Sequence, residues 1–391
     1  MGNAKCIGRV GALAVALGIG VGLAAMPWVA SAKPASSDSS STDTTASSSS
    51  DTCNCQKLRP VTVSTNGVVR VQGASTATSS GTGSVAIAKG AQSEATALNG
   101  SKAMAFGSGD TVAATGPNSR ALVIGDDSTA LAYGGTNNRA TVLGDNSTAV
   151  AGSFGTEAGG GGSNNTATVK GDNSTAYAGS TLTTIGTDLN NSNNTATATG
   201  DNASAQAGVF GSNNSDNTAT AENTGTGEVF AAAGVDGSGN SNNTAIAINT
   251  GNGSSAEALA GAHGDNNTDN LAHAFNSGDG SSSTAVAAFG GDNNTNNTAS
   301  ASNGGDGTDM TAGAGNTGSN NTDNNATASG IGNNSTVTAA AGDVGDNNTN
   351  NSAWAFTHVD GTSTLAQAGS FGSNFDNNDA SASNGETTIT P

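Results

Sequence analysis

Asn297-Thr298-Ala299-Ser300-Ala301-Ser302-Asn303 decides the reading of this chain, because its pattern returns again and again along the sequence. Successive copies place the first alanine at Ala86, Ala113, Ala140, Ala167, Ala196, Ala219, Ala245, Ala272, Ala299, Ala326, Ala353 and Ala380. The period is about 27 residues, in the range of stacked repeat architectures. Two residues earlier stands an asparagine: Asn138, Asn165, Asn194, Asn217, Asn243, Asn270, Asn297, Asn324, Asn351 and Asn378. Two residues later comes another small apolar residue, as in Val142, Val169, Ala198 and Ala301. The position between them is unconstrained, being Thr168, Ile246, His273, Ser300 or Trp354 in different units. Small apolar residues alternating with anything at all have the two-residue period of a β-strand, small face inward. The bulky Trp354 and His273 must then point outward. Four residues past the alanine Gly or Asn is common, which suits a turn because both accept left-handed backbone.

A second short strand recurs as Ala-x-Ala-Gly, at Ala149–Gly152, Ala176–Gly179, Ala258–Gly261 and Ala366–Gly369 among others. It starts nine residues after the first alanine in early units and thirteen after it in late ones, while the total hardly changes. A fixed total with a shifting division makes the whole repeat the stacking unit, with loops that exchange length inside it. Neither strand can bury a face alone, so the units must stack on one another. Equivalent asparagines would then lie about 4.8 Å apart, close enough for their amides to form ladders. The predicted fold is all-β: a parallel β-solenoid over 84–391. The spacing leaves open whether each repeat makes one coil or two thin ones. The competing reading is disorder, since Gly, Ser, Asn and Thr with few aromatics also compose unfolded tracts.

The segments Ser84-Val85-Ala86-Ile87-Ala88, Ser101-Lys102-Ala103-Met104-Ala105-Phe106-Gly107 and Ser119-Arg120-Ala121-Leu122-Val123-Ile124-Gly125 resemble the head repeats of trimeric autotransporter adhesins. Those heads carry a Ser-Val-Ala-Ile-Gly pattern on stacked β coils. The resemblance covers Ser84 to Gly155 and implies a surface-exposed, adhesive β-solenoid. The family's heptad stalk and C-terminal membrane strands have no counterpart here, so self-translocation and trimer anchoring do not carry over.

Outside the repeat, residues 1–32 read as a secretory signal. Lys5 and Arg9 charge its start, Val10 to Ala25 is apolar, and Ala30-Ser31-Ala32 offers a cleavage site. An uncleaved anchor would need about 20 apolar residues, more than this Gly-rich run supplies. The leader resembles those of exported mycobacterial and related actinobacterial proteins. No later segment is long and apolar enough to span a bilayer, and the end, Glu386 to Pro391, carries no sorting tail. Residues 33–58 form a Ser/Thr-rich linker expected to be disordered, closed by Cys53-Asn54-Cys55, and 59–83 is expected to cap or lead into the solenoid. Three readings of Cys53 and Cys55 stay open. A disulfide within the pair is sterically borderline, because two residues span at most about 7 Å. A crosslink between chains suits an oxidising exterior. A metal site would need further ligands.

Eleven Lys+Arg against 30 Asp+Glu give a net charge of −19. That balance disfavours nucleic acid and anionic membrane surfaces as partners. Length alone would allow two or three globular domains, yet the scarcity of large aliphatics denies them a conventional core. Catalysis needs unlike groups converging in a pocket, and near-identical polar columns do not supply them, so no enzyme activity and no cofactor are expected. Calcium is the one ligand with a pattern behind it. Gly304-Gly305-Asp306-Gly307-Thr308-Asp309 follows the start of a calcium-binding nonapeptide, making Asp306 and Asp309 the metal candidates. The expectation is an exported surface or secreted structural protein, adhesive toward an unidentified surface or matrix ligand and able to self-associate. The alternatives are a disordered acidic matrix polymer and a solenoid that binds calcium or a lattice such as ice.

Overall fold

The structure is a computed structural model, and it describes residues 61–152, 162–179, 190–209, 211–342, 344–369 and 372–390. The leader at 1–32, the linker at 33–58 and both Cys53 and Cys55 lie outside the described residues.

Among the described residues there are 29 strands and no helix. They alternate between a first sheet of 15 strands and a second sheet of 14. Each turn of the chain gives one strand to each sheet, so strands next to one another in a sheet belong to successive coils. All such pairs are parallel except at the N-terminal edge. There β1 (Val61–Thr65) runs antiparallel to both β2 (Val68–Val71) and β4 (Val85–Lys89). β3 (Thr76–Ser80) already pairs in parallel within the second sheet. The described part of the expected lead-in, from Val61 onward, thus holds a hairpin over the end of the first sheet together with the first strand of the second. This is a parallel β-solenoid, and the disordered alternative fails for these residues.

The register explains the alanines. Ala140, Ala167, Ala196, Ala219 and Ala245 stack directly on one another in the first sheet, and the column continues through Ala272, Ala299, Ala326 and Ala353 to Ala380. In the second sheet Ala149, Ala176, Ala205, Ala231, Ala258 and Ala285 do the same. These alanines meet between the sheets with essentially no exposure. A methyl group buries little area, at ~25 cal/mol per Å², so the hydrophobic term per coil is small. Backbone ladders and buried amides must hold what the methyl groups cannot.

The expected period needs one correction. Ala86 stacks on Ala103, Ala103 on Ala121 and Ala121 on Ala140. The first coils are therefore short, and contacts from Ser93 to Asp110, Ser128 and Ser147 likewise step by 17, 18 and 19 residues. Ala113 lies on the strand Thr111–Ala114 of the second sheet and is not stacked between Ala86 and Ala140. The equal spacing is a coincidence, for Ala113 stands on the face away from the alanine core, in register with Thr96 and Leu131, while its neighbours Val112 and Ala114 face inward. Farther along, each coil is longer because it has a third side. A line of single parallel bridges runs Ser192, Ser215, Ser241, Thr268, Thr295, Thr322, Thr349, Asp376. From Ala245 onward each full repeat makes one three-sided coil, Ala245 stacking on Ala272 and Ala272 on Ala299.

The corners come from left-handed residues. In Asp292-Asn293-Asn294-Thr295-Asn296-Asn297, Asn293 and Asn296 have φ of 57° and 58°, a conformation Asn accepts at low cost. Two such steps three residues apart turn Asn294 and Asn297 inward, where both are buried.

Gly278 and Gly280 share another corner for different reasons. A Cβ on Gly278 would lie 2.0 Å from the Gly305 carbonyl oxygen of the next coil, whereas one on Gly280, at φ +60°, would meet nothing within 4 Å. Gly278→Ala should therefore cost about 1–3 kcal/mol by forcing the coils apart. Gly280→Asn should be nearly neutral, since Asn334 holds the corresponding left-handed place two coils on. Urea unfolding of the two variants checks this, and equal losses would refute the close approach.

Candidate functional site

The recurring asparagines form a continuous buried ladder. Asn165 donates its backbone N–H (3.0 Å) and its Nδ2 (3.3 Å) to Oδ1 of Asn138. Its Nδ2 also donates to the Asn191 carbonyl at 2.7 Å. The same double donation recurs from Asn194 through Asn217, Asn243, Asn270, Asn297 and Asn324 to Asn351. Asn378 closes the series through its backbone N–H to Asn351 Oδ1 at 3.0 Å. From Asn138 to Asn324 each amide oxygen thus accepts twice, and from Asn138 to Asn351 each amide nitrogen donates twice, which is what makes burying these polar groups tolerable.

A second ladder, unnoticed in the sequence, stands three residues earlier. Asn214, Asn240, Asn267, Asn294, Asn321 and Asn348 each give their backbone N–H to the Oδ1 one coil before, beginning at Asn191. It is less complete, for Nδ2 of Asn240, Asn267, Asn294 and Asn321 is buried without an acceptor. The recurring Asn-x-x-Asn spacing, as in Asn294 and Asn297, was the available signal. Serine and threonine hydroxyls play the same part at a further corner, where Ser254, Ser281, Thr308 and Ser335 each accept the next coil's N–H.

The acidic turns sit at two different corners. Asp126, Asp145, Asp172 and Asp201 follow the first sheet, and each accepts a backbone N–H from the coil before. Asp265, Asp292 and Asp346 line a corner beyond the second sheet and accept in the same way. The calcium candidate Asp306 stands with Asp279 on the exposed turn that leads from the first sheet to the second, and its Oδ1 accepts the Asp279 N–H at 2.9 Å. Asp309 begins the strand Asp309–Thr311. It stands in a column with Glu228, Ser255 and Ser282 along a shallow open cleft of about 400 Å³. Glu228 and Asp309 are three rungs apart, about 14 Å. Among the described residues no three His, Cys, Asp or Glu side chains come together as metal ligands.

Asp110 differs from every other carboxylate here. It occupies a fully buried position that is serine in the coils on either side, Ser93 and Ser128. Those serines donate their hydroxyls to the carbonyls of Gly107 (2.6 Å) and Gly144 (2.8 Å). Asp110 Oδ1 accepts the Ser128 N–H at 3.2 Å, while Oδ2 has no partner. A Cβ built on Gly107 would lie 1.4 Å from the Gly125 carbonyl oxygen and 2.6 Å from Asp110 Oδ2, so those two oxygens face each other. Burial, partly offset by the Ser128 N–H and reinforced by Asp126, Asp127 and Asp145, pushes the carboxyl up to about 6.

The outward faces carry the remaining groups. Trp354 is exposed and stacks on Phe356, with ring centroids 6.1 Å apart. His273 is half-buried and its pKa is lowered by that burial, so it is less freely solvated than an outward position implies. His263 pairs with Asp236 at 3.2 Å. Thr166 with Thr168, Thr195 with Thr197 and Thr218 with Thr220 stack in register over three rungs, and the array stops at Ile246. All six Lys and Arg of the described residues lie exposed on the first sheet: Arg70, Lys89, Lys102, Arg120, Arg139 and Lys170. The sequence has none after Lys170.

No protein-family model matches this chain, and no curated protein matches it. Function must therefore be argued from the surfaces themselves. Chemically, this arrangement offers long, flat, hydrogen-bonding faces on a rigid stack.

Proposed function

We propose that the chain is an exported structural repeat protein of the cell surface or secreted matrix, which holds out extended faces for adhesion. The observation that carries this reading is the contrast between inside and outside. Alanines and asparagines keep their places coil after coil, while the outward position of the first sheet changes from Ile87 through Thr168 and His273 to Trp354. A scaffold that fixes its interior and varies its surface suits contact with partners along its length. Buried amide ladders suit an exterior role, because they hold the stack without a large apolar core. The leader at 1–32 supports export.

Fractionation of cells producing an epitope-tagged chain tests the reading. The tag should appear in the medium or become accessible to antibody on intact cells. Recovery in the cytosol alone would overturn it.

A further inference from the structure

Among the described residues, the cations of this acidic protein all stand on the first sheet. Lys102, Arg120 and Arg139 are register partners on three successive strands of the first sheet, so they stand about 4.8 Å apart. Like charges directly opposite one another destabilise a sheet, and none of the three has a carboxylate partner among the described residues. Arg120 and Arg139 flank an open cleft of about 370 Å³ with Asn118, Asn137 and Asn138. Beside the cations on the same face lie Met104 and Leu122, and beyond them Phe106, Ile124 and Leu143, the last two 46% and 40% exposed.

We infer that this column binds an acidic polysaccharide laid along the solenoid axis, with the uronate carboxylates of one face of the polymer against the cations. The inference rests on the adhesive reading above and gives it a ligand class. A pyranose residue advances an extended chain by roughly the height of one rung and turns about the chain axis as it does so, so carboxylates on alternate sugars return to one face and match Lys102 and Arg139, with Arg120 between them. Guanidinium groups hold carboxylates in bidentate fashion. The weakly polar faces of the sugar rings would cover Met104 and Leu122. Relief of the repulsion between stacked cations adds to binding, because the unliganded fold bears that cost.

Other anions fit less well. Single-stranded nucleic acid needs a series of stacking aromatics, and the strands from Val85 to Lys170 in the first sheet present only Phe106. An anionic bilayer pressed onto the whole face would also meet Asp126 and Asp145 at its far edge. A polysaccharide on the cation column stays about 13 Å from those carboxylates, beyond the ~8 Å screening length at physiological salt.

Calorimetric titration of the full chain with polygalacturonate, and with neutral dextran as control, tests the site. The decisive variant is Arg120→Thr/Arg139→Thr, which places threonine where Thr166 and Thr195 already stand in the same column. Polygalacturonate should bind and dextran should not. The double variant should weaken binding about tenfold or more, and Lys170→Thr by no more than about twofold. Absence of polygalacturonate binding, unchanged binding by the double variant, or tighter binding to single-stranded DNA or phosphatidylserine vesicles at equal salt would overturn the inference. A cytosolic location would defeat the surface role without altering this titration, and a failed titration would leave the location standing.

Discussion

Replacing Asn243 by leucine should destabilise the stack by about 4 kcal/mol and loosen it locally rather than everywhere. Asn243 gives its N–H and Nδ2 to Asn217 Oδ1 at 3.1 and 3.0 Å, and Nδ2 also reaches the Asn267 carbonyl at 2.8 Å. Its own Oδ1 accepts the Asn270 N–H at 3.2 Å and Nδ2 at 3.0 Å. Leucine keeps the backbone donor and removes the rest. The Asn270 N–H is left buried and unpaired, at about 1–3 kcal/mol; the Asn267 carbonyl keeps only the Ser241 N–H, and the branched side chain must fit a slot shaped for a planar amide. Stability in a stack is a sum of coil and neighbour terms, so loss of amide-exchange protection should centre on the coils joined at Asn243. Asn243→Asp should behave differently. A carboxylate keeps both acceptor contacts to Asn270 but sets an oxygen against Asn217 Oδ1 and the Asn267 carbonyl, so its cost should grow as the pH rises. Urea unfolding with hydrogen exchange measures both. A loss under about 1 kcal/mol for the leucine variant, with exchange at Asn270 unchanged, would show that the ladder is incidental.

Much of this fold was legible because a β-solenoid writes its geometry into spacing. The inward alanines alternate strictly, and the asparagine two residues ahead of them occupies the ladder position from Asn138 to Asn351. The early coils were misread for a physical reason. Between Ala86 and Ala140 lie three stacking steps, through Ala103 and Ala121, and Ala113, midway between them in sequence, packs with Leu131 and Val150 on the face of the second sheet away from the alanine core. Spacing alone does not say which face of a strand an alanine takes, and in Thr111-Val112-Ala113-Ala114 either alternation offers small residues to the core. The second asparagine ladder escaped because an Asn in a corner reads first as a turn residue. Only coordinates separate the left-handed Asn293 from the inward Asn294 beside it.

Charge shows a different limit. A net −19 describes the whole chain and hides where the charges stand. Stacking turns a residue type at one position into a column, so a few cations at matching positions become a stripe even on an acidic protein. The end of the Lys and Arg residues at Lys170 was visible in the sequence, but their common face required the register of the first sheet.

That register also makes Asp110 a pH-sensitive point of the fold. Its carboxyl stands where Ser93 and Ser128 donate to a carbonyl, and a carboxylate has nothing to donate. Protonated, it can give its proton toward the Gly125 oxygen as the serines do. In the fold its pKa is raised from 3.8 to about 6. Below the unfolded value both states are protonated and there is no penalty. As the pH rises from about 4 through 6 the unfolded chain ionises first, so stability falls, and above 6 the loss levels off at about 3 kcal/mol. Asp110→Ser should abolish this component. The variant should match the parent near pH 4 and exceed it by up to about 3 kcal/mol at pH 8, with its hydroxyl donating to the Gly125 carbonyl and accepting the Ser128 N–H. Other carboxylates titrate in the same range, so the informative quantity is the difference between the two proteins in urea unfolding at each pH. If that difference stays flat from pH 4 to 8, or if serine weakens the fold at pH 8, the buried carboxyl has found a partner when ionised and the argument from its orphaned oxygen is wrong.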